Sequence, residues 1–248
     1  MIQATFQAIW SVTFSCLLVI STSSYLQADS GFAIVELFTS QGCSSCPPAD
    51  EILQEIARMA QKEKLPIYTL SYHVNYWNRL GWTDPYSGKN ATDRQYQYAQ
   101  KVFGTQSVYT PQAIINGRYD VSGNDRRKLL NTIGQVRQQD TTTRIDLSKL
   151  TKTPDGTLTL RYKISGHLVG DELRVALVAA RKTNFVPSGE NAGRTLSHTN
   201  VVQRFTTQKL DASGVGSIML AGDHADTLIA FVQNPRNFRI TSATQLPL

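Results

Sequence analysis

The sequence predicts an α/β domain with a helical insertion, followed by an all-β sandwich-like domain. Three observations predict it. An apolar run, a tight turn and a helical period follow one another over residues 32–60; an Asn-Gly hairpin and another helical period close the first half; after residue 141 short alternating runs take over. With 41% hydrophobic and 18% charged residues, the 248-residue chain has apolar material for packed cores and too little charge for a disordered chain.

Residues 8–20 are mostly apolar and are followed by Ser21-Thr22-Ser23-Ser24 and Leu26-Gln27-Ala28. The run is shorter than the roughly 20 residues a membrane span needs, and it fits a signal-peptide core over residues 1–28 with cleavage after Ala28. No Lys or Arg precedes it, so an uncleaved anchor is the alternative. The expectation is a secreted or periplasmic protein with no membrane span after cleavage. Of the three cysteines, Cys16 would leave with this segment, and Cys43 and Cys46 would stay. A bridge between those two closes too small a loop to restrain the unfolded chain much, so the pair reads as chemical rather than structural.

Residues 29–140 form the first expected domain. FAIVELF (32–38) reads as a buried strand, and TSQG breaks it. Ala49, Ile52, Leu53, Ile56, Ala57 and Ala60 then repeat as one helical stripe, with Pro47, Pro48, Asp50 and Glu51 suited to a first turn. LPIYTLSYHV (65–74) reads as a second strand, and the crossover implies parallel pairing. Residues 76–104 read as the helical insertion, with Trp77, Trp82, a break at Gly81 and a helix from Thr92. QAIINGRYDVSG predicts a hairpin turning at Asn116-Gly117, and residues 124–139 a closing helix with Leu129, Leu130, Ile133 and Val136 inward.

Residues 141–248 form the second expected domain. Strand-like runs at 144–150, 157–164, 173–180, 201–210, 216–220 and 227–233 predict a sandwich. The net charge of +6 is carried mainly by this half as scattered cations without a basic arm, which argues against nucleic acid as a partner.

Cys43-Ser44-Ser45-Cys46 lies between strand and helix, where free backbone amides and the helix dipole favour a thiolate on Cys43. Cys46 is then placed to resolve a mixed disulfide formed on Cys43. Ser44 and Ser45 add no cation beside the thiolate, which predicts a mildly rather than strongly oxidising pair. The aromatics Tyr76, Trp77, Trp82 and Tyr86 read as insertion core or as a substrate groove, and His198 as a loop-fixing rather than catalytic residue. His167 and His224 fall in turns.

With the redox pair, its flanking strand and helix, and Thr110-Pro111 ahead of a strand, the chain resembles the thioredoxin-like superfamily. That resemblance implies a cis bond at Pro111 facing the pair, with the Thr110 backbone pairing to an extended substrate peptide, and a thioredoxin-like domain over 29–140, ahead of the β-sandwich that the strand-like runs predict over 141–248. It also implies that Glu36, one residue from the superfamily's buried acid, serves as proton acceptor for Cys46. VELFTSQGCSSCPPAD, SYHVNYWNRLGWTDP, SVYTPQAIINGR and ENAGRTLSHTNVV further resemble the secreted DUF1223 family, although Asn75 and Asn78 replace its usual Asp. The implied function is exported thiol-disulfide oxidoreductase chemistry on protein or small-molecule thiols and disulfides. Cys43, Cys46, Pro111, Thr110 and Glu36 are its site residues, and no dissociable cofactor is needed. The alternatives are an envelope binding or assembly module with a structural disulfide and a partner on the β domain, and a Cu(I)-handling protein with Cys43, Cys46 and His73 as ligands.

Overall fold

A computed structural model describes residues 31–154, 156–221 and 225–248, so the expected signal peptide and His224 lie outside the described residues. The first half builds β1 (Ala33–Thr39), α1 (Pro47–Glu63), β2 (Ile67–His73), a single 3₁₀ turn (Asn78–Leu80) and α2 (Lys89–Lys101). It continues with β3 (Gln112–Ile115), β4 (Tyr119–Ser122) and α3 (Arg126–Arg137). The second half is all strand: β5 (Arg144–Lys152), β6 (Thr157–Ser165), β7 (Glu172–Val186), β8 (Arg194–Lys209), β9 (Val215–Ala221), β10 (Thr227–Gln233) and β11 (Ile240–Pro247).

Local chemistry explains the first half. β1 and β2 pair in parallel, from Ala33 opposite Ile67 to Thr39 opposite His73, as the strand-helix-strand order requires. Pro47 and Pro48 open α1 where no intrahelical N–H is needed, and Lys64 ends it in the left-handed conformation. Asn116 (φ 47°) and Gly117 (φ 70°) make the β3–β4 turn, which Arg118 N–H closes onto the Ile115 carbonyl. A side chain at Gly117 would collide with the Phe238 carbonyl. Asp125 caps α3 by accepting from Lys128 N–H at 2.9 Å.

The arrangement of the halves corrects the expected fold class. The protein is mostly β, and β7, β8, β10 and β11 do not form a separate sandwich. They join β1–β4 in one mixed eight-stranded sheet, ordered β11-β10-β7-β8-β2-β1-β3-β4, while β5-β6-β9 make a second, three-stranded sheet. The join is the parallel pairing of β8 on β2 at Val201 and Ser71. A thioredoxin-like domain with an insertion is therefore not the architecture. α2 instead packs on the face of the large sheet shared by both halves, where Tyr98 stacks edge-on to Phe38 and Phe238 in one buried cluster with Ile34, Tyr72, Val178 and Phe231. On the other face, α1 and α3 cover Val35, Leu37 and Ile115, and the small sheet covers Val175, Leu177, Leu228 and Ala230. The sequence carries the physical reason: β7 and β10 are apolar at successive positions, so both their faces are buried, as in a central strand.

Candidate functional site

β1 delivers the chain into the turn 40–46 at the N-terminus of α1. Cys43 and Cys46 form a disulfide there. The Cys46 backbone is already helical, and its carbonyl accepts from Ala49 and Asp50 N–H at 2.9 and 3.1 Å. Ser44 and Ser45 are exposed, whereas Cys43 is 1% and Cys46 0% exposed.

Four segments enclose the pair. The Thr110-Pro111 peptide is cis, as the resemblance implied, and the Thr110 carbonyl oxygen lies 3.9 Å from Cys43 Sγ. Trp77 Nε1–H donates to Thr110 Oγ1 at 2.8 Å, and its Cβ packs where any side chain on Gly42 would project. Asn124 Nδ2 donates to the Ser45 carbonyl at 2.9 Å. The fourth segment is the β7–β8 turn. Asn191, 1% exposed, donates through Nδ2 to the Gln41 and Cys43 carbonyls, both at 2.9 Å. Beside it Glu190 accepts from Ser44 N–H at 2.9 Å, and the hydrogen bonds from Ser44 hold its carboxyl below the usual range. A groove of about 390 Å³ lined by Tyr76, Trp77, Arg79, Tyr96, Tyr109 and Thr110 opens next to this enclosure, and burial pushes the Tyr76 phenol up to about 12.

Glu36 does not approach the cysteines. Side chains alternate along β1, so Val35 and Leu37 face α1 while Glu36 faces α2, and a one-residue offset from the superfamily's acid reverses its side. There the carboxylate accepts from Arg94 Nη2 at 2.9 Å and from Arg94 Nε and the Tyr98 hydroxyl, both at 2.5 Å. Burial works against the Arg94 charge, but Glu36 outweighs it and raises the guanidinium above its ordinary value. The proton-acceptor role expected of Glu36 has no geometric support.

His73 is likewise committed elsewhere. Its Nδ1–H donates to Asp84 Oδ2 at 2.7 Å, in a pair that is fully buried. Burial pushes the Asp84 carboxyl up, but the His73 ring and the Gln41 and Tyr86 amides outweigh it and hold it below the carboxylate range. Among the described residues no three His, Cys, Asp or Glu side chains are grouped to hold a metal, and the two thiols are joined, so the Cu(I) ligand set is not assembled.

Sequence reasoning missed a buried polar cluster behind the pair. The His73 and His198 rings meet edge to face at 4.5 Å, and His198 Nδ1 is 3.3 Å from Asp50 Oδ2. Thr39 Oγ1–H donates to Asp50 Oδ2 at 3.2 Å, whereas His198 Nδ1 makes no hydrogen bond to it. Asp50 sits one turn after Cys46, a spacing visible in the sequence, but His198 arrives from β8 and no local signal announces it.

Strand, disulfide at a helix N-terminus and facing cis-proline thus define a cysteine-pair protein built on a mixed sheet, with its β-rich half closing over the pair. The sequence matches the family described as "Protein of unknown function (DUF1223)" over residues 34–233, and the chain belongs to that family. It is similar to an Agrobacterium tumefaciens protein of known crystal structure: 30% identical, TM-score 0.67, covering 87% of this chain and 93% of that one. A β-glucosidase from Bifidobacterium adolescentis is 12% identical over 43% of this chain and 17% of that one, with a TM-score of 0.20, too low to carry any argument. No curated protein matches the chain. No helix among the described residues is long and apolar enough to cross a membrane.

Proposed function

We propose that the protein is an exported thiol-disulfide exchange protein acting on protein or small-molecule thiols and disulfides. Its carrying observation is the Cys43–Cys46 disulfide at the N-terminus of α1, with the Thr110 carbonyl of a cis-proline peptide 3.9 Å from Cys43 Sγ. After reduction, the helix N-terminus favours a Cys43 thiolate, which attacks a substrate disulfide, forms a mixed disulfide and releases one substrate thiolate. Cys46 then attacks Cys43 Sγ, restoring the internal bridge and releasing the other. The aromatic groove beside Thr110 supplies an apolar seat for a substrate chain. Export rests on the apolar segment 8–20 and the small residue Ala28.

Burial favours a second reading, a binding or assembly module in which the bridge is a static clamp, because neither sulfur is open to solvent. Trapping separates the two. Cys46→Ser incubated with a disulfide-bonded test protein should accumulate a dithiothreitol-sensitive adduct through Cys43, and Cys43→Ser should accumulate far less. Absence of adducts in both variants, with equal losses of stability, would establish the clamp.

A further inference from the structure

Resolution of a mixed disulfide requires Cys46 to lose a proton in a place without water, since its side chain is fully buried. Glu36 lies on the wrong face of β1. On α1, however, Asp50 follows Cys46 by four residues, which places the two side chains on one face with Cβ atoms about 5–6 Å apart. Helical side chains lean towards the N-terminus, so the carboxylate leans towards the thiol's turn.

The surroundings of Asp50 leave one oxygen open. Asp50 is 4% exposed; Oδ2 takes the Thr39 hydroxyl and lies 3.3 Å from His198 Nδ1 without a hydrogen bond between them, while Oδ1 is buried without a hydrogen-bond partner. Buried carboxylate oxygens are normally paired, so this one calls for a donor. His198 is fixed in a single tautomer. Trp82 Nε1–H, a donor only, gives its hydrogen to Gln41 Oε1 at 3.0 Å, which orients the Gln41 amide. Gln41 Nε2–H then meets His198 Nε2 at 3.1 Å, with its second hydrogen on Asn184 Oδ1. In the neutral ring His198 therefore accepts at Nε2 and keeps its hydrogen on Nδ1, which faces the Asp50 carboxylate.

We propose that Asp50 is the proton acceptor for Cys46, with His198 a positioning residue packed beside its Oδ2. This rests on the exchange reading above. In the resolving step the Cys46 thiol gives its proton to Asp50 Oδ1, and the Cys46 thiolate attacks Cys43 Sγ. The Cys43–Cys46 bond forms as the Cys43–substrate bond breaks. The substrate leaves as a thiolate and recovers the proton from Asp50, so the substrate is reduced and the pair oxidised. The reverse sequence opens the bridge. The other titratable groups around Asp50 are His198, His73, Asp84 and Tyr86, reached through the ring contacts of β2, β8 and the segment before α2.

The test uses a Cys16→Ser background. With Cys43→Ser added, Cys46 is the sole thiol, and its thiolate absorbance is followed against pH. Asp50→Asn should lower the Cys46 midpoint by about one pH unit or more, the coupling expected of two groups that share a proton, and Asp50→Glu should restore much of it. With both cysteines present, Asp50→Asn should slow resolution of a preformed mixed disulfide about tenfold or more at pH 7. A general base contributes about 10²–10⁴, and the more acidic thiol offsets part of that. His198→Gln should move the same pH profile. Should Asp50→Asn fail to fold, the Asp50 carboxyl carbon resonance is titrated in the unsubstituted chain, where its midpoint should differ between dithiol and disulfide forms. A Cys46 midpoint indifferent to Asp50, or an Asp50 titration indifferent to the state of the pair, overturns the proposal. Coupling without any mixed-disulfide formation would instead leave the proton relation standing and remove the exchange reading.

Discussion

Asn191→Ala should open the cover over the disulfide. Asn191 is 1% exposed and gives two hydrogen bonds of 2.9 Å, to the carbonyls of Gln41 and Cys43, so the β7–β8 turn is fastened to the chain on both sides of Gly42. Each such bond contributes about 1 kcal/mol net once competing water is counted, giving about 2 kcal/mol for the pair. The neighbouring contact, Glu190 on Ser44 N–H, is exposed and adds little. If reduction requires the turn to lift, about 2 kcal/mol raises its open population, and hence the reduction rate, roughly 30-fold, since 1.4 kcal/mol is tenfold. The assay is pseudo-first-order reduction by excess dithiothreitol at fixed pH, quenched by an alkylating mass tag. Hydrogen exchange at residues 187–193 reports the opening itself. A reduction rate within twofold of the unsubstituted protein, alongside faster exchange in the turn, would refute the idea that this turn guards the sulfurs.

Arg94→Met should destabilise the fold by about 3–5 kcal/mol in urea unfolding, because it strands Glu36 as a buried charge. Adding Glu36→Gln should recover much of the loss, and a double variant no better than the single one would contradict that account. Asp84→Asn removes a buried carboxylate that accepts from His73, Gln41 and Tyr86, and should cost about 2–3 kcal/mol at pH 7. The folded carboxyl lies below the unfolded value of about 3.9, so its stabilisation is present above that pH and lost as pH falls through the lower folded value. The difference between the two proteins should therefore be level from pH 7 to about 4 and close below it; closure already at pH 6 would contradict the assignment.

Where the determinants are local, the sequence read well. The FAIVELF strand, the proline-headed helix, the parallel crossover and the Asn116-Gly117 turn depend on neighbouring residues, and each formed as its residue types dictate. The sheet that unites the halves was not legible in the same way, because β8 joins β2 at one bridge between residues 71 and 201. One usable signal was present: LRVALVAA and LIAFV are apolar on both faces, which marks central strands rather than one layer of a sandwich. The site divides along the same line. Cys43 and Cys46 lie where strand, turn and helix put them, and the cis bond at Pro111 was implied by the family resemblance alone, while Glu36 takes the opposite face because parity along β1 decides which side a side chain takes. Asn191 reaches the Cys43 carbonyl and His198 the nearby Gln41 from about 150 residues away, and both owe their roles to the sheet that brings β7 and β8 beside β2.

The central claim, that Cys43–Cys46 is an exchangeable couple, is tested most directly by its reduction potential. The Cys16→Ser protein is equilibrated in glutathione buffers of graded ratio and its free thiols are counted. A midpoint between roughly −120 and −280 mV would place the pair among exchangeable redox couples, as the account predicts. A midpoint below roughly −300 mV would identify a structural bridge and contradict it.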